Sequence, residues 1–127
     1  MDFQKTTAVG YDYKGRYYSI PHELAFGCGD LNTSAVDLYK WNALLTGGKV
    51  PGLGKKGFKQ MWNSNGGYGY GLFYGQKTIF HGGTTNVFNS YMCYHFDTKI
   101  QVIVLSNKPI NVCNAAVIGG KIYKIFN

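Results

Sequence analysis

The sequence predicts an α+β fold, an antiparallel β-sheet flanked by helices, and three observations carry that expectation. Eighteen glycines and 17% aromatic residues favour many turns and short strands over long helices. Residues 68–106 contain two consecutive stretches that read as hairpins. Apolar residues recur at helical spacing on either side of that block. At 127 residues and 45% hydrophobic, the chain can bury one modest core, so 1–127 is expected to form a single unit.

Residues 1–33 read as an irregular arm, in which tyrosines mixed with Gly10, Gly15, Pro21 and Gly27 show no sustained period. A helical segment, 34–63, follows. Ser34 with Asp37 resembles a capping box with Asp in place of Glu, and Leu38, Trp41 and Leu45 recur at helical spacing until Gly47-Gly48, which predicts a helix over 34–46. Gly52-Leu53-Gly54-Lys55-Lys56-Gly57 spells a dinucleotide fingerprint. Pro51 stands where a strand should end, however, and no βαβ unit surrounds the run, so it reads as a loop. Phe58 to Trp62 is expected to add one or two helical turns before Asn63-Ser64-Asn65-Gly66-Gly67 breaks the chain.

The strands are expected over 68–106. Tyr68 to Tyr74 and Lys77 to Gly82 flank Gly75-Gln76, and Val87 to Phe96 and Ile100 to Ser106 flank Asp97-Thr98-Lys99. The stretch from Ile100 to Leu105 is apolar apart from Gln101, which predicts an interior strand covered on both faces. Ala115, Ile118, Ile122 and Ile125 recur at helical spacing after Pro109, so a terminal helix over 110–126 can supply one cover. Gly119-Gly120 inside it costs about 2 kcal/mol relative to alanine, which points to close packing on the sheet or to a break.

The net charge of +7 comes from twelve lysines and Arg16 set against six carboxylates. Phosphate and base recognition usually recruits arginine, so scattered lysines read as a solvated surface and no nucleic-acid partner is expected. Cys28, Cys93 and Cys113 are odd in number and lack Cys-x-x-Cys spacing, so they are expected as small buried apolar residues. No metal or cofactor is indicated by any motif. No run approaches the roughly eighteen apolar residues of a membrane span. Met1-Asp2-Phe3-Gln4-Lys5 lacks a signal-peptide core, so an exported parent would carry its signal upstream. Tyr11, Tyr13, Tyr17 and Tyr18 beside Lys14 and Arg16 could form a stacking platform for sugars or single strands, although an arm that packs its rings on the sheet explains them as well.

One constellation remains. His81-Gly82-Gly83-Thr84 is expected to close the second strand of the first hairpin, where two glycines leave bare backbone that invites another backbone or a ligand. His81, the one titratable side chain there, can exchange or donate a proton near neutral pH. From these four residues alone, a turn with a surface histidine and an active-site wall stand equal.

Other segments bear on the choice. The run Gly27-Cys28-Gly29-Asp30-Leu31-Asn32-Thr33-Ser34-Ala35-Val36-Asp37-Leu38 resembles the Gly-x-Gly-Gly/Asp-Leu-x-Ser-Thr-x-x-Asp-Leu segment of the serine β-lactamase-like family. This family includes class C β-lactamases, penicillin-binding DD-peptidases and related esterases. In family order follow Tyr68-Gly69-Tyr70-Gly71-Leu72-Phe73, which is similar to its Tyr-Gly-x-Gly-Trp strand, His81-Gly82-Gly83, similar to His-x-Gly, and Val102 to Asn107, similar to its penultimate strand. The resemblance runs from about Gly10 to the final helix and implies a partial β-lactamase/transpeptidase-like fold. It implies that His81 contacts substrate or assists proton transfer, that Gly83 keeps the strand open, and that the Thr84 N–H is the second oxyanion-hole donor.

The departure from the family is as informative. None of the serines at 19, 34, 64, 90 and 106 has lysine three residues later, and no tyrosine is followed two residues later by asparagine, so the Ser-x-x-Lys and Tyr-x-Asn motifs are missing. Both lie upstream in the family. The resemblance therefore implies the carboxy-terminal portion of a larger, exported or cell-envelope-associated hydrolase acting on cell-wall peptides, β-lactams or esters, inactive by itself. It further implies that strand 100–106 lacks an amino-terminal neighbour, so that a homodimer or exchanged assembly forms through its edge.

Overall fold

The computed structural model describes residues 8–18, 22–29, 31–61, 67–75 and 77–126. In the arm, a two-stranded ribbon pairs β1 (Gly10–Tyr11) with β2 (Tyr17–Tyr18), and a single helical turn, α1 (His22–Ala25), follows. Asp12 closes the ribbon: its carboxylate accepts from the Lys14 and Arg16 N–H groups at 2.8 and 2.9 Å and from Arg16 Nε at 2.7 Å. The rings of Tyr13 and Tyr17, 67% and 68% exposed, do not pack on the sheet as an arm of buried tyrosines would. Residues 1–7 and 19–21 of the arm, Asp30, Trp62, the breaker Asn63 to Gly66, and Gln76 of the expected turn lie outside the described residues.

Helix α2 (Ala35–Thr46) forms where the capping pattern places it. Ser34 Oγ accepts from the Asp37 N–H at 3.1 Å and donates to the Asp37 carboxylate at 2.8 Å, and Gly47 then Gly48, with φ of +66°, ends the helix. The face it buries differs from the expected Leu38, Trp41 and Leu45 stripe. Leu45 is buried, but Trp41 is 46% exposed and Asn42 is fully buried in its place.

Helix α3 (Gly54–Met61) corrects the reading of residues 52–57 as a loop. Phe58 and Met61 pack on the core from this helix, and that contact outweighs the low helix propensity of Gly54 and Gly57. Val50, Phe58 and Met61 thereby surround a cluster of Leu45, Leu72, Ile79 and Tyr94.

The sheet holds five antiparallel strands in the order β3 (Tyr68–Gly69), β4 (Leu72–Tyr74), β5 (Thr78–Thr85), β6 (Phe88–His95) and β7 (Gln101–Ser106). The expected strand from Tyr68 to Tyr74 is folded into a hairpin of its own. Gly69 pairs with Leu72 across Tyr70 and Gly71, which both hold positive φ, at 53° and 76°. That is the two-residue turn whose twist suits an antiparallel pair. Strand β5 runs three residues beyond Gly82 because its ladder with β6 continues to Thr85 opposite Phe88. Buried Val87 makes the turn, and a Cβ on Gly10 would lie 2.3 Å from its side chain, so glycine is required where the arm crosses.

Strand β7 has helices on both faces, α2 on one and α4 on the other, as its apolar composition predicts. Among the described residues it is nevertheless the edge of the sheet and not an interior strand. Helix α4 (Ala115–Ile125) begins later than Pro109 suggested, because Pro109 to Cys113 forms a separate turn and Asn114 is the cap. Glycine at 119 is there for packing: a Cβ would stand 2.5 Å from the Tyr91 ring, and the helix continues unbroken through Gly120. Buried Asn89 ties the helix to β6. Its Nδ2 donates to the Lys108 and Cys113 carbonyls at 2.8 and 2.7 Å, and its Oδ1 accepts from the Ala115 N–H at 2.7 Å. Each buried group left without such a partner costs about 1–3 kcal/mol, so one side chain secures this face.

Of the cysteines, Cys93 is buried and Cys113 half-buried, but Cys28 is exposed, which departs from the expectation of three buried residues. Among the described residues no helix is long and apolar enough to cross a membrane.

Candidate functional site

His81, Gly82, Gly83 and Thr84 lie within β5 and not at its closing corner, so their backbone is held straight by β6. Which groups remain free follows from alternation. The Gly75 N–H donates to the Thr78 carbonyl at 2.9 Å, so Thr78 directs its backbone groups toward β4, while the Lys77 carbonyl accepts from Phe96 at 2.9 Å on the β6 side. With a period of two, Phe80, Gly82 and Thr84 also face the β4 side. Pairing with β4 stops at Phe80 opposite Phe73. The N–H and C=O groups of Gly82 and Thr84 are therefore aimed outward, with no strand partner among the described residues.

Side chains alternate in the same way. His81 and Gly83 share one face with Leu72, Ile79, Ser90 and Met92, whereas Thr84 points its side chain to the other and meets the outer edge with backbone only. The core under α2 and α3 covers one end of the first face. The other end opens into a concavity of about 2170 Å³ lined by His81, Gly83, Thr84, Ser90, Tyr68 and Trp41. That exceeds the roughly 300–1,000 Å³ of an ordinary small-molecule site, so it has room for a ligand and for protein around it. Leu38 and Trp41, expected in the core, line this space instead.

Two residues that sequence reasoning did not place in the site belong to it. Tyr68 Oη lies 3.3 Å from His81 Nε2, brought across by the Tyr70-Gly71 turn. Reading that turn from its glycine would have returned Tyr68 to the side of β5. Ser90 pairs with Gly83, and a Cβ on Gly83 would stand 3.3 Å from its hydroxyl. The glycine thus leaves Ser90 Oγ uncovered as well as the strand. Gly82 serves packing, since a Cβ there would lie 3.1 Å from the Ser90 carbonyl.

Among the described residues, Asp37 is the one carboxylate lining the site and no lysine does so, and Ser34 and Lys40 already engage Asp37. Hydrogen bonding from Ser34, and then from Lys40, holds the Asp37 carboxyl below its usual range. The Tyr91 phenol is pushed up to about 12, chiefly by burial, and stays neutral. Beside His81 and Gly83 the site therefore offers backbone donors and acceptors, the His81 imidazole, the Tyr68 phenol and the Ser90 hydroxyl. Among the described residues no cluster of His, Cys, Asp and Glu could hold a metal ion.

Comparison with known proteins gives one curated relative. "Putative penicillin-binding protein PbpX" of Bacillus subtilis (strain 168) is 28% identical over 126 residues, which cover 94% of this chain and 32% of the relative. No family model matches, and no solved structure matches. The chain is thus distantly related to a penicillin-binding-protein-like sequence, of which it spans about a third.

Proposed function

We propose that this chain is the carboxy-terminal portion of a serine hydrolase of the β-lactamase or penicillin-binding type, and that it supplies the wall of the active site opposite the nucleophile. The observation that carries the reading is the unpaired outer edge of β5, where Gly82 and Thr84 direct N–H and C=O groups beside the concavity. An extended peptide or an acyl group laid along that edge would gain strand-like hydrogen bonds. A carbonyl oxygen developing negative charge would be met by the Thr84 N–H, with a second donor coming from the nucleophile's own backbone. His81 would contact the ligand or assist the proton network. Covalent chemistry belongs to residues outside this chain, so the chain alone is expected not to turn over a chromogenic β-lactam or ester. Turnover at enzyme-like rates would overturn the reading. An upstream coding sequence carrying Ser-x-x-Lys and then Tyr-x-Asn in frame would support it.

In this reading the rest of the protein is the chief partner, covering the concavity and the outer edge of β7, and an envelope location suits a parent that acts on cell-wall peptide. Deprived of that cover, β7 pairs with a second copy. A non-catalytic module for wall polymer or nucleic acid is favoured by one observation, the exposed rings of Tyr13 and Tyr17. It is opposed by another, since Asp12 engages the sole arginine through a 2.7 Å ion pair. Titration with a cell-wall peptide and with a single-stranded oligonucleotide separates the two, because only the second predicts salt-sensitive binding of the oligonucleotide.

A further inference from the structure

We propose that Tyr68 is a positioning residue that sets the tautomer of the uncharged His81 ring, placing its hydrogen on Nδ1 so that this N–H is the one offered to a ligand. The inference rests on reading the β5 edge as the ligand site. Three rings make the device. Tyr68 Oη stands 3.3 Å from His81 Nε2, and the two ring centroids are 5.9 Å apart at 35°. Phe73 packs 4.5 Å from the Tyr68 ring and stacks at 24° on His81, with centroids 5.9 Å apart. The imidazole thus has a ring stacked beside it and a hydroxyl at Nε2.

A neutral imidazole has one donor nitrogen and one acceptor, and the neighbour of one nitrogen decides the role of both. Two arrangements satisfy the contact: the phenol donates to a bare Nε2, or Nε2–H donates to the phenol oxygen. A phenol is the more acidic of the two donors, and a bare imidazole nitrogen is the better acceptor, so the first is favoured. Nδ1 then carries the hydrogen, and no described residue accepts from it. His81 lines the same concavity as Gly83 and Thr84, so this N–H joins the outward Thr84 N–H as a donor suited to a carbonyl or carboxylate oxygen. Half of the Tyr68 ring is exposed, so water competes with the contact, and the bias is expected to be a majority and not an absolute state.

The test is long-range proton–nitrogen correlation on the nitrogen-15-labelled full chain at a pH where histidine is neutral, with the His81 signals assigned by their loss in His81→Gln. The Nδ1–H form should predominate in the wild type, and Tyr68→Phe, which keeps the ring and its packing on Phe73, should shift the ratio several-fold toward Nε2–H. A wild type that is mainly Nε2–H overturns the proposal by itself, whether or not the variant folds. An unchanged ratio in a folded Tyr68→Phe chain overturns it too. Neither readout depends on ligand binding or turnover, so a chain with the expected tautomer that by itself turns over a β-lactam or ester at enzyme-like rates refutes the proposed function and leaves the assignment of Tyr68 standing.

Discussion

Among the described residues, the outer edge of β5 between His81 and Thr85 and the outer edge of β7 offer the same row of backbone groups without a strand partner to different surroundings. On β7 the groups are those of Gln101, Ile103 and Leu105, because the His95 N–H donates to the Ile100 carbonyl at 3.0 Å and fixes the alternation. The described part of the arm meets this edge at its end, where the Tyr11 N–H donates to the Asn107 carbonyl at 3.2 Å. Strand β7 carries no charge, proline or bulge, has Leu105 41% exposed, and is flanked by helices on both faces. The open part of β5 carries two glycines and opens on the concavity. In the proposed reading, unpaired backbone is thus common to a ligand site and to a seam of the fold. What separates them is the side chains: small and polar where a ligand would lie, apolar and flanked where another strand belongs.

The strongest way to break this distinction is at Thr84. In a parent protein that has the nucleophile, Thr84→Pro deletes an outward N–H and should lower turnover about a hundredfold to a thousandfold. Unchanged turnover would remove the edge from the site. In the chain alone, the same substitution should cost less stability than Gly83→Pro, whose N–H faces β6. Losing that ladder bond should cost about 1–3 kcal/mol, measured as a shift in denaturant midpoint. Equal losses would mean that the alternation is wrong.

On β7, Leu105→Lys places a charge on the exposed edge and should weaken self-association at least about tenfold in sedimentation or light scattering. A wild type that stays monomeric at high concentration would sink the seam. Asn42, on the helix that packs on β7, has neither amide atom hydrogen-bonded among the described residues, although the residue is fully buried. Asn42→Leu should therefore raise the stability of the isolated chain by about 1 kcal/mol.

The smallest effect lies on the side covered by α4. His95 stacks on Tyr123 with centroids 3.5 Å apart, and burial lowers its pKa below the ordinary 6.5. A depressed histidine pKa means that its stabilising contribution is complete above 6.5 and is lost as pH falls through the folded-state value. Melting temperature should thus drop on acidification below 6.5, and less so in His95→Phe, which keeps a ring against Tyr123.

Much of this was legible in local spelling. Ser34 with Asp37 and the glycine pair at 47 and 48 set α2 to within a residue, and the turn formers before and after β6 located its hairpins. Gly119-Gly120 pointed to close packing on the sheet or to a break, and the contact of Gly119 with Tyr91 is the first of these. The split of 68–74 was not read, because Tyr70 is a poor residue for positive φ and masks the turn that Gly71 permits. The start of α3 at Gly54, ahead of the turns expected from Phe58, was missed for a related reason: contact with the core, and not propensity, holds the helix.

By itself the sequence determined the α+β class, the capped helix and the paired strands, since each rests on neighbours within one turn or one hairpin. Only the tertiary structure decided that β5 outruns β4 and so leaves Gly82 and Thr84 facing outward. It alone brought Tyr68 and Ser90 to His81 and Gly83, and turned Asn42 inward in place of Trp41. Those facts depend on the register between strands and on which helix face finds a partner, and both are settled by contacts among residues far apart in the chain.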